Sequence, residues 1–445
     1  MRTETKDTTP DIPRVRFRDA LLFWLKLGFI SFGGPAGQIA IMHQELVEKR
    51  RWISESRFLH ALNYCMLLPG PEAQQLATYL GWLMHRSWGG IVAGSLFVLP
   101  SLLILIGLSW IYMAHGHQPL IAAVFWGIKP AVTAIVLHAA WRIGSRTLNN
   151  GLLWAIALAA FAAIFFLHVP FPAIVIGAAV LGLVGSRFAP TKFSGRPHGD
   201  TTGVSGKPEA AATLPHTRFR WSRLASVLIV GVLLWSLPMA GLVLVFGWDH
   251  LLTQMGWFFT KAALLTFGGA YAVLPYVYQG AVEHFGWLTA AQMIDGLALG
   301  ETTPGPLIMV LAYVGFIGGW GKAIFGPDAL LLAGVTAAMI VTWFTFLPSF
   351  VFILAGGPLV ESTHGKLAFT APLTAVTAAV VGVILNLALF FAGHVLWPAG
   401  FDAALDAGSA AIMLAAALAL IRFKRGVVQV IGGAAASGLL LHWLT

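Results

Sequence analysis

The chain has 445 residues, of which 58% are hydrophobic and only 10% are charged, and its formal net charge is +9. Soluble domains carry roughly 25% charged residues, so this composition excludes an ordinary soluble protein and predicts an all-α polytopic membrane protein. The only cysteine is Cys65, the 14 histidines show no metal-ligand spacing, and no P-loop motif occurs. We therefore expect no enzyme, no metal, no cofactor and no nucleic-acid partner.

The first part of the chain is predicted to contain interrupted membrane segments. Residues 1–18 are polar and read as a cytoplasmic arm rather than a signal peptide. Two apolar segments follow, Ala20–Val47, broken at Gly33-Gly34-Pro35, and Phe58–Met84, broken at Pro69-Gly70-Pro71. Each arm offers about 20 Å of helix, which is too short to cross about 30 Å of hydrocarbon. Re-entrant pairs are favoured, because they keep the basic loop 48–57 cytoplasmic. Broken full spans stay the alternative.

The rest of the chain divides into four predicted regions. Residues 19–188 form a first transporter repeat, and residues 189–223, rich in Gly, Pro, Ser, Thr and basic residues, form a flexible cytoplasmic linker. Residues 224–248 form a linking transmembrane helix, and residues 249–445 form a second repeat. The single crossing between the halves predicts that they are inverted relative to each other. The N-terminus is expected to be cytoplasmic, because its arm is basic.

The two halves carry the same motifs at a fixed spacing. Lys261 follows Lys26 by 235 positions (261 − 26 = 235), and the same offset relates Phe267-Gly268-Gly269 to Phe32-Gly33-Gly34 and Pro304-Gly305-Pro306 to Pro69-Gly70-Pro71. Further on, "TFLPS" matches "FVLPS" with an offset of 248 (348 − 100 = 248). The difference predicts an insertion of 13 residues, placed within "GWGKAIFGPDALL" of the second half. Repeated halves are typical of secondary transporters.

The interruptions predict an anion-binding site. A helix that begins inside the membrane presents unpaired N–H groups and the positive end of its dipole, and proline suits its first turn. Glycine allows the backbone to approach a ligand closely. The predicted substrate-binding residues are Lys26, Ser31, Gly33, Gly34, Pro35, Pro69, Gly70, Pro71, Lys261, Thr266, Gly268, Gly269, Pro304, Gly305 and Pro306.

Other interpretations of these residues stay open. Proline and glycine are common kink residues in membrane helices, and a lysine close to a helix end can snorkel to the interface. Glu72 and Glu301 are predicted either to carry a coupling proton, to pair with a lysine or to cap a helix. The predicted neutral donors, with plain packing as the alternative, are Gln38, Asn63, Gln74 and Gln75.

The combined motifs resemble those of a known family. The stretch "FGGPAGQIAIMHQELVEKRRWIS", together with "LLPGPEAQQLATYLGW", resembles the signature of the chromate ion transporter family, and "FGGAYAVLPYV" with "ETTPGPLIM" is similar to the C-terminal half of its members. The resemblance implies a multi-pass, two-domain protein of the bacterial inner membrane that exports chromate and confers resistance. Uptake of sulfate and an anion channel are the alternatives. The expected partners are chromate or sulfate, the lipid bilayer and, as an option, a second copy of the chain in a homodimer. Ala270 stands where the first repeat has Pro35, which weakens the helix-dipole argument at this break.

Overall fold

The structure is a computed structural model, and it describes residues 15–32, 34–188, 193, 216, 217, 219–267, 269–363 and 370–444. These residues form sixteen α-helices and no strand. The all-α prediction is therefore confirmed. Gly33, Gly268, the first 14 residues of the arm and most of the linker lie outside the described residues.

The helices follow the two predicted repeats. The first half contains α1 (Phe17–Ile30), α2 (Gly34–His43), α3 (Glu55–Cys65), α4 (Glu72–His115), α5 (Pro119–Thr147), α6 (Gly151–Leu167) and α7 (Phe171–Phe188). The connecting helix is α8 (Trp221–Phe246). The second half contains α9 (Leu251–Leu265), α10 (Ala270–Tyr278), α11 (Ala290–Thr302), α12 (Val310–Gly321), α13 (Leu330–Thr363), α14 (Thr370–Leu396), α15 (Ala407–Ile421) and α16 (Val427–Leu444).

The correspondence between the halves extends to local irregularities. A π-helical turn follows α2 at Gln44–Lys49, and another follows α10 at the matched positions Gln279–His284. Helix α4 is interrupted at His85 and Arg86, whose backbone dihedrals are not helical. The matched place in the second half is the connection between α12 and α13, where the sequence predicts the insertion.

The first half begins with two helical hairpins, and the second half repeats the first of them. In α1, the Phe23 ring lies 5.6 Å from the Trp52 ring, although the chain passes through the first break between them. Phe17, six residues before Phe23, lies 5.3 Å from the His85 ring beyond the second break. The chain therefore folds back on itself after each break, and that these hairpins are re-entrant in a membrane stays a prediction. Phe258 and Trp287, with ring centroids 5.4 Å apart, make the matched contact in the second half.

The remaining helices are built to cross a membrane. Six described helices are long and apolar enough to span one, and α6, α15 and α16 are shorter apolar helices. Helix α8 has most of its apolar side chains exposed, which places it at the periphery. These findings confirm a multi-pass membrane protein.

Helices α4 and α13 pack together at the centre. A Cβ added to Gly94 of α4 would lie 2.5 Å from the Phe350 ring of α13, so this ring packs directly against the α4 backbone. The hairpins of the first half pack against α13, and those of the second half pack against α5 and α14. Contacts between the halves bring the breaks of both repeats together.

Candidate functional site

The four breaks meet through two reciprocal hydrogen bonds. The Gly70 N–H donates to the Thr266 carbonyl over 2.8 Å, and the Gly305 N–H donates to the Ser31 carbonyl over the same distance. Gly305 is the repeat equivalent of Gly70, and Thr266 is the equivalent of Ser31. The two bonds are therefore equivalent: in each one, the second break of one half donates to the start of the first break of the other half. We call the four breaks and the side chains that touch them the break cluster.

Gly70 and Gly305 are held where other residues do not fit. Their φ values are +125° and +104°, in the region that favours glycine. A Cβ on Gly70 would lie 2.5 Å from the Ser349 Oγ, and a Cβ on Gly305 would lie 2.7 Å from the Ser101 Cβ. Glycine is therefore required at both positions, because it allows the backbone to turn and the opposite half to approach closely.

Ser101 and Ser349 belong to the cluster, although they were not predicted as site residues. Both are buried, and each contacts the glycine of the opposite repeat. They are the last residues of the matched "FVLPS" and "TFLPS" stretches. That match was the signal from which they could have been found.

Helices begin at the breaks with free N-termini. No side-chain hydrogen bond caps α4 after Pro71, α10 after Gly269, or the turn that leads into α12 after Pro306. Their first N–H groups and the positive ends of their dipoles therefore point to the cluster. Pro35 is the second residue of α2, as expected for a helix-opening proline.

Two glutamine side chains donate hydrogen bonds to the breaks. The Gln38 amide donates to the Gly305 carbonyl and, over 3.4 Å, to the Ser31 carbonyl. The Gln75 amide donates to the Pro69 carbonyl over 2.7 Å and to the Ser349 Oγ over 3.4 Å. Both side chains are buried, so their predicted placement beside the breaks agrees with the structure.

Several polar atoms in the cluster have no protein partner. The Ser31 Oγ and the amide oxygens of Gln38, Gln74 and Gln75 are buried without a hydrogen bond in the described structure. A hydroxyl in this position is free to donate to a bound anion. Gln74 itself donates to Thr78 Oγ1 over 3.0 Å, and the Thr266 hydroxyl donates to the Ala262 carbonyl.

The two predicted carboxylates occupy different surroundings. Glu301 is buried near the end of α11 and accepts a hydrogen bond from the Tyr271 hydroxyl. Glu72 is partly exposed in the first turn of α4, where a carboxylate suits the helix dipole. Neither pairs with Lys26 or Lys261 in the described part of the chain.

Three predicted residues are not brought into the cluster. Lys26, Lys261 and Asn63 are exposed, and no hydrogen bond or ion pair joins either lysine to the breaks within the described ranges. The Lys261 Nζ lies 5.6 Å from the centre of the Trp257 ring. This exposure favours snorkelling, the alternative left open by the sequence, and a role in binding stays a prediction.

The arrangement is chemically suited to an anion. The cluster offers helix N-termini, one free hydroxyl and amide groups inside a buried space, and such groups stabilise negative charge. In the described ranges, no group of three or more His, Cys, Asp or Glu side chains is placed to hold a metal ion.

The fold and the cluster define a class of protein. A multi-pass membrane protein with two repeats, interrupted helices and a polar site where the interruptions meet has the architecture of a secondary transporter. The chromate transporter family matches this chain over residues 18–183 and 253–439, one match in each repeat. The chain belongs to the chromate transporter family.

Named relatives cover most of the chain. It is 30% identical to the chromate transport protein of Cupriavidus metallidurans over 97% of its own length and 94% of that protein. It is 33% identical to the chromate transport protein of Pseudomonas aeruginosa over 85% and 82% of the two chains. A probable chromate transport protein of Synechococcus elongatus is 29% identical over 80% and 79%. No solved structure matches the chain.

Proposed function

We propose that this protein is a secondary transporter that exports chromate from the cytoplasm across a bacterial inner membrane and thereby confers chromate resistance. The observation that carries the proposal is the break cluster, where two reciprocal hydrogen bonds join four helix interruptions beside uncapped helix N-termini. The choice of chromate as the substrate is inferred from the relatives that are named as chromate transport proteins.

Chromate would bind in the cluster as a tetrahedral dianion that only accepts hydrogen bonds. The free N–H groups after Pro71, Gly269 and Pro306 are donors with a favourable dipole. The Ser31 hydroxyl has no other described partner and adds a fourth donor. Since the donors come from both halves, a movement of one half against the other changes the site.

The direction of transport follows from the membrane potential. Moving one charge across about 100 mV is worth about 2.3 kcal/mol, so a dianion gains about 4.6 kcal/mol when it leaves a cell that is negative inside. Since about 1.4 kcal/mol corresponds to a factor of ten, this energy sustains an outward gradient of roughly a thousandfold or more. Export therefore needs neither ATP nor a coupling ion.

Uptake of sulfate is the second candidate. It would have to overcome the same energy and therefore needs at least two protons or sodium ions per anion. The buried Glu301, held by Tyr271 beside the breaks, is the observation that favours ion coupling.

Net flux in energised everted membrane vesicles tests the proposal, because their interior corresponds to the outside of the cell. We expect accumulation of chromate that collapses when the potential is removed, with weak competition by sulfate. Proton-driven movement of sulfate in the opposite direction, with no accumulation of chromate, would favour the second candidate.

A further inference from the structure

A buried ion pair joins the two halves outside the break cluster. Asp295 of α11 is 2% exposed, and its Oδ2 lies 3.4 Å from the Nζ of Lys129 in α5. The Tyr112 hydroxyl of α4 donates to the same oxygen over 2.9 Å. The other oxygen, Oδ1, is buried without a partner in the described structure.

The pair is connected to the break cluster along two helices. Ser101 of α4 touches Gly305, and Tyr112 follows it by 11 residues (112 − 101 = 11). Asp295 precedes Gly305 by 10 residues (305 − 295 = 10). At 1.5 Å per residue, both paths put the pair about 15 Å from the breaks, towards the end of α4 and the start of α11.

The pair occurs in one half of the repeat only. The equivalent of Asp295 at the offset of 235 is His60 (295 − 235 = 60). Val376 matches Val132 with an offset of 244 (376 − 132 = 244), so the equivalent of Lys129 is Leu373 (129 + 244 = 373). The repeat architecture therefore does not require these charges.

Stability does not explain the pair either. Desolvation of two charges offsets most of their attraction, so a buried ion pair is a weak source of stability. The Lys129 side chain is 30% exposed, so the protein does not enclose it completely.

We propose that Lys129 and Tyr112 form a second oxyanion-binding site, which we call the station, between the break cluster and the face where α11 begins. Asp295 competes with the anion by pairing with Lys129, and protonation of Asp295 releases the lysine. The ligand class is a tetrahedral oxyanion dianion. The inference rests on the proposed oxyanion transport, and it adds a site that the repeat motifs do not contain.

The proton and charge changes are simple. A proton from the medium adds to Oδ1 of Asp295, while Lys129 keeps its own proton, so the net charge of the pair rises from zero to +1. Lys129 on α5 and the hydroxyl of Tyr112 on α4 face the carboxylate. From α12, Tyr313 lies 5.8 Å from the Tyr112 ring and donates to the Gln292 carbonyl. No other charged side chain among the described residues is within ion-pairing distance of Asp295.

Binding to the purified full chain tests the station. The probes are sulfate, chromate and molybdate, with sulfate as the main probe because it stays a dianion over the range used. At about pH 8 we expect Asp295→Asn to bind about tenfold more tightly than the parent, because the amide mimics the protonated acid. At lower pH the difference should shrink, because protonation of Asp295 in the parent removes the same negative charge.

The controls separate a binding role from a structural one. The double variant Lys129→Met with Asp295→Asn should lose the tighter anion binding that Asp295→Asn gains. Because the double variant keeps the site neutral, it can be used where a single variant fails to fold. Glu361→Gln is the matched control, because Glu361 is held by the Tyr79 hydroxyl over 2.6 Å and pairs with no lysine in the described chain. It should follow the parent at both pH values.

Two results would overturn the station: Asp295→Asn binds all three anions as the parent does, or its gain persists in the double variant. The proposed function is judged separately, by chromate flux in the parent. A parent without chromate flux whose Asp295→Asn variant gains sulfate binding would sink the proposed function and support the station.

Discussion

The break cluster concentrates unpaired polar atoms that a stable core would avoid. A buried donor or acceptor without a partner costs about 1–3 kcal/mol, and the Ser31 hydroxyl and the amide oxygens of Gln38 and Gln75 are all in this state within the described structure. They lie beside the same two glycines. Their concentration at one point supports ligand binding there.

Gln38→Met should weaken the junction between the first and fourth breaks. Methionine has a similar length but no N–H, so the carbonyls of Gly305 and Ser31 lose their shared donor. We expect a loss of stability of about 1–3 kcal/mol and a fall in chromate flux of at least about tenfold, measured by thermal unfolding and vesicle uptake. Asn63→Leu, at an exposed position of α3, is the control and should change neither. Unchanged flux in Gln38→Met would remove the side chain from the site.

The exposed lysines give a comparative prediction. Lys26→Met and Lys261→Met remove charges that make no bond to the breaks in the described structure, so each should lower chromate flux less than Gln38→Met does. Vesicle uptake, normalised to the amount of inserted protein, measures this. Abolished flux in both variants would restore the binding role that the sequence predicts.

The sequence predicted the glycines, prolines, Ser31 and glutamines that the structure describes beside the breaks, whereas the predicted Lys26 and Lys261 are exposed and make no bond to the breaks in the described structure. Lys26 precedes Gly33 by seven residues, and helical periodicity puts the two on one face. The helix ends at Ile30, however, and the chain changes direction there, so the shared face does not continue to the break. Ser101 approaches Gly305 only through the packing of the two halves, so the matched motif marks the residue but does not give this long-range contact.

At the scale of elements, short arms decide the topology. Helices α1, α2 and α3 have 14, 10 and 11 residues, or about 21, 15 and 17 Å at 1.5 Å per residue. None of them crosses about 30 Å of hydrocarbon alone. The glycine and proline pattern was enough to predict the breaks, and the basic loop 48–57 was enough to favour the turn back.

Thiol labelling tests the first hairpin. In a chain whose buried Cys65 is replaced by alanine, Arg16→Cys and Glu48→Cys place exposed thiols before α1 and after α2. We expect an impermeant reagent to label both from the same side of the membrane, because the Phe23–Trp52 contact brings the two ends of the hairpin together. Labelling from opposite sides would mean that the segment crosses the membrane.

At the scale of the molecule, the two repeats exchange their breaks. Gly70 bonds to Thr266 and Gly305 bonds to Ser31, so neither half completes the cluster alone. The family matches each half separately, over residues 18–183 and 253–439. The sequence predicted this repetition from matched motifs, but it could not give the reciprocal contacts, which depend on how the halves pack.

The predicted inversion of the halves has a matched pair of test positions. Glu48 and Glu283 are repeat equivalents (283 − 48 = 235), and both are exposed. An inverted repeat places them on opposite faces, so we expect Glu48→Cys to react from the cytoplasmic side and Glu283→Cys from the other side. Reaction of both thiols from one side would indicate parallel repeats.

The central claim is that chromate passes through the break cluster, and chromate flux in proteoliposomes under an imposed potential tests it most directly. The decisive variant is Gly70→Ala combined with Gly305→Ala, because each new Cβ would meet the opposite half within 3 Å and each backbone would be strained. The control is Gly107→Ala on α4, where a Cβ meets nothing within 4 Å. We predict potential-driven flux in the parent and the control and none in the double variant. A double variant that is folded and transports chromate at the rate of the parent would contradict the account.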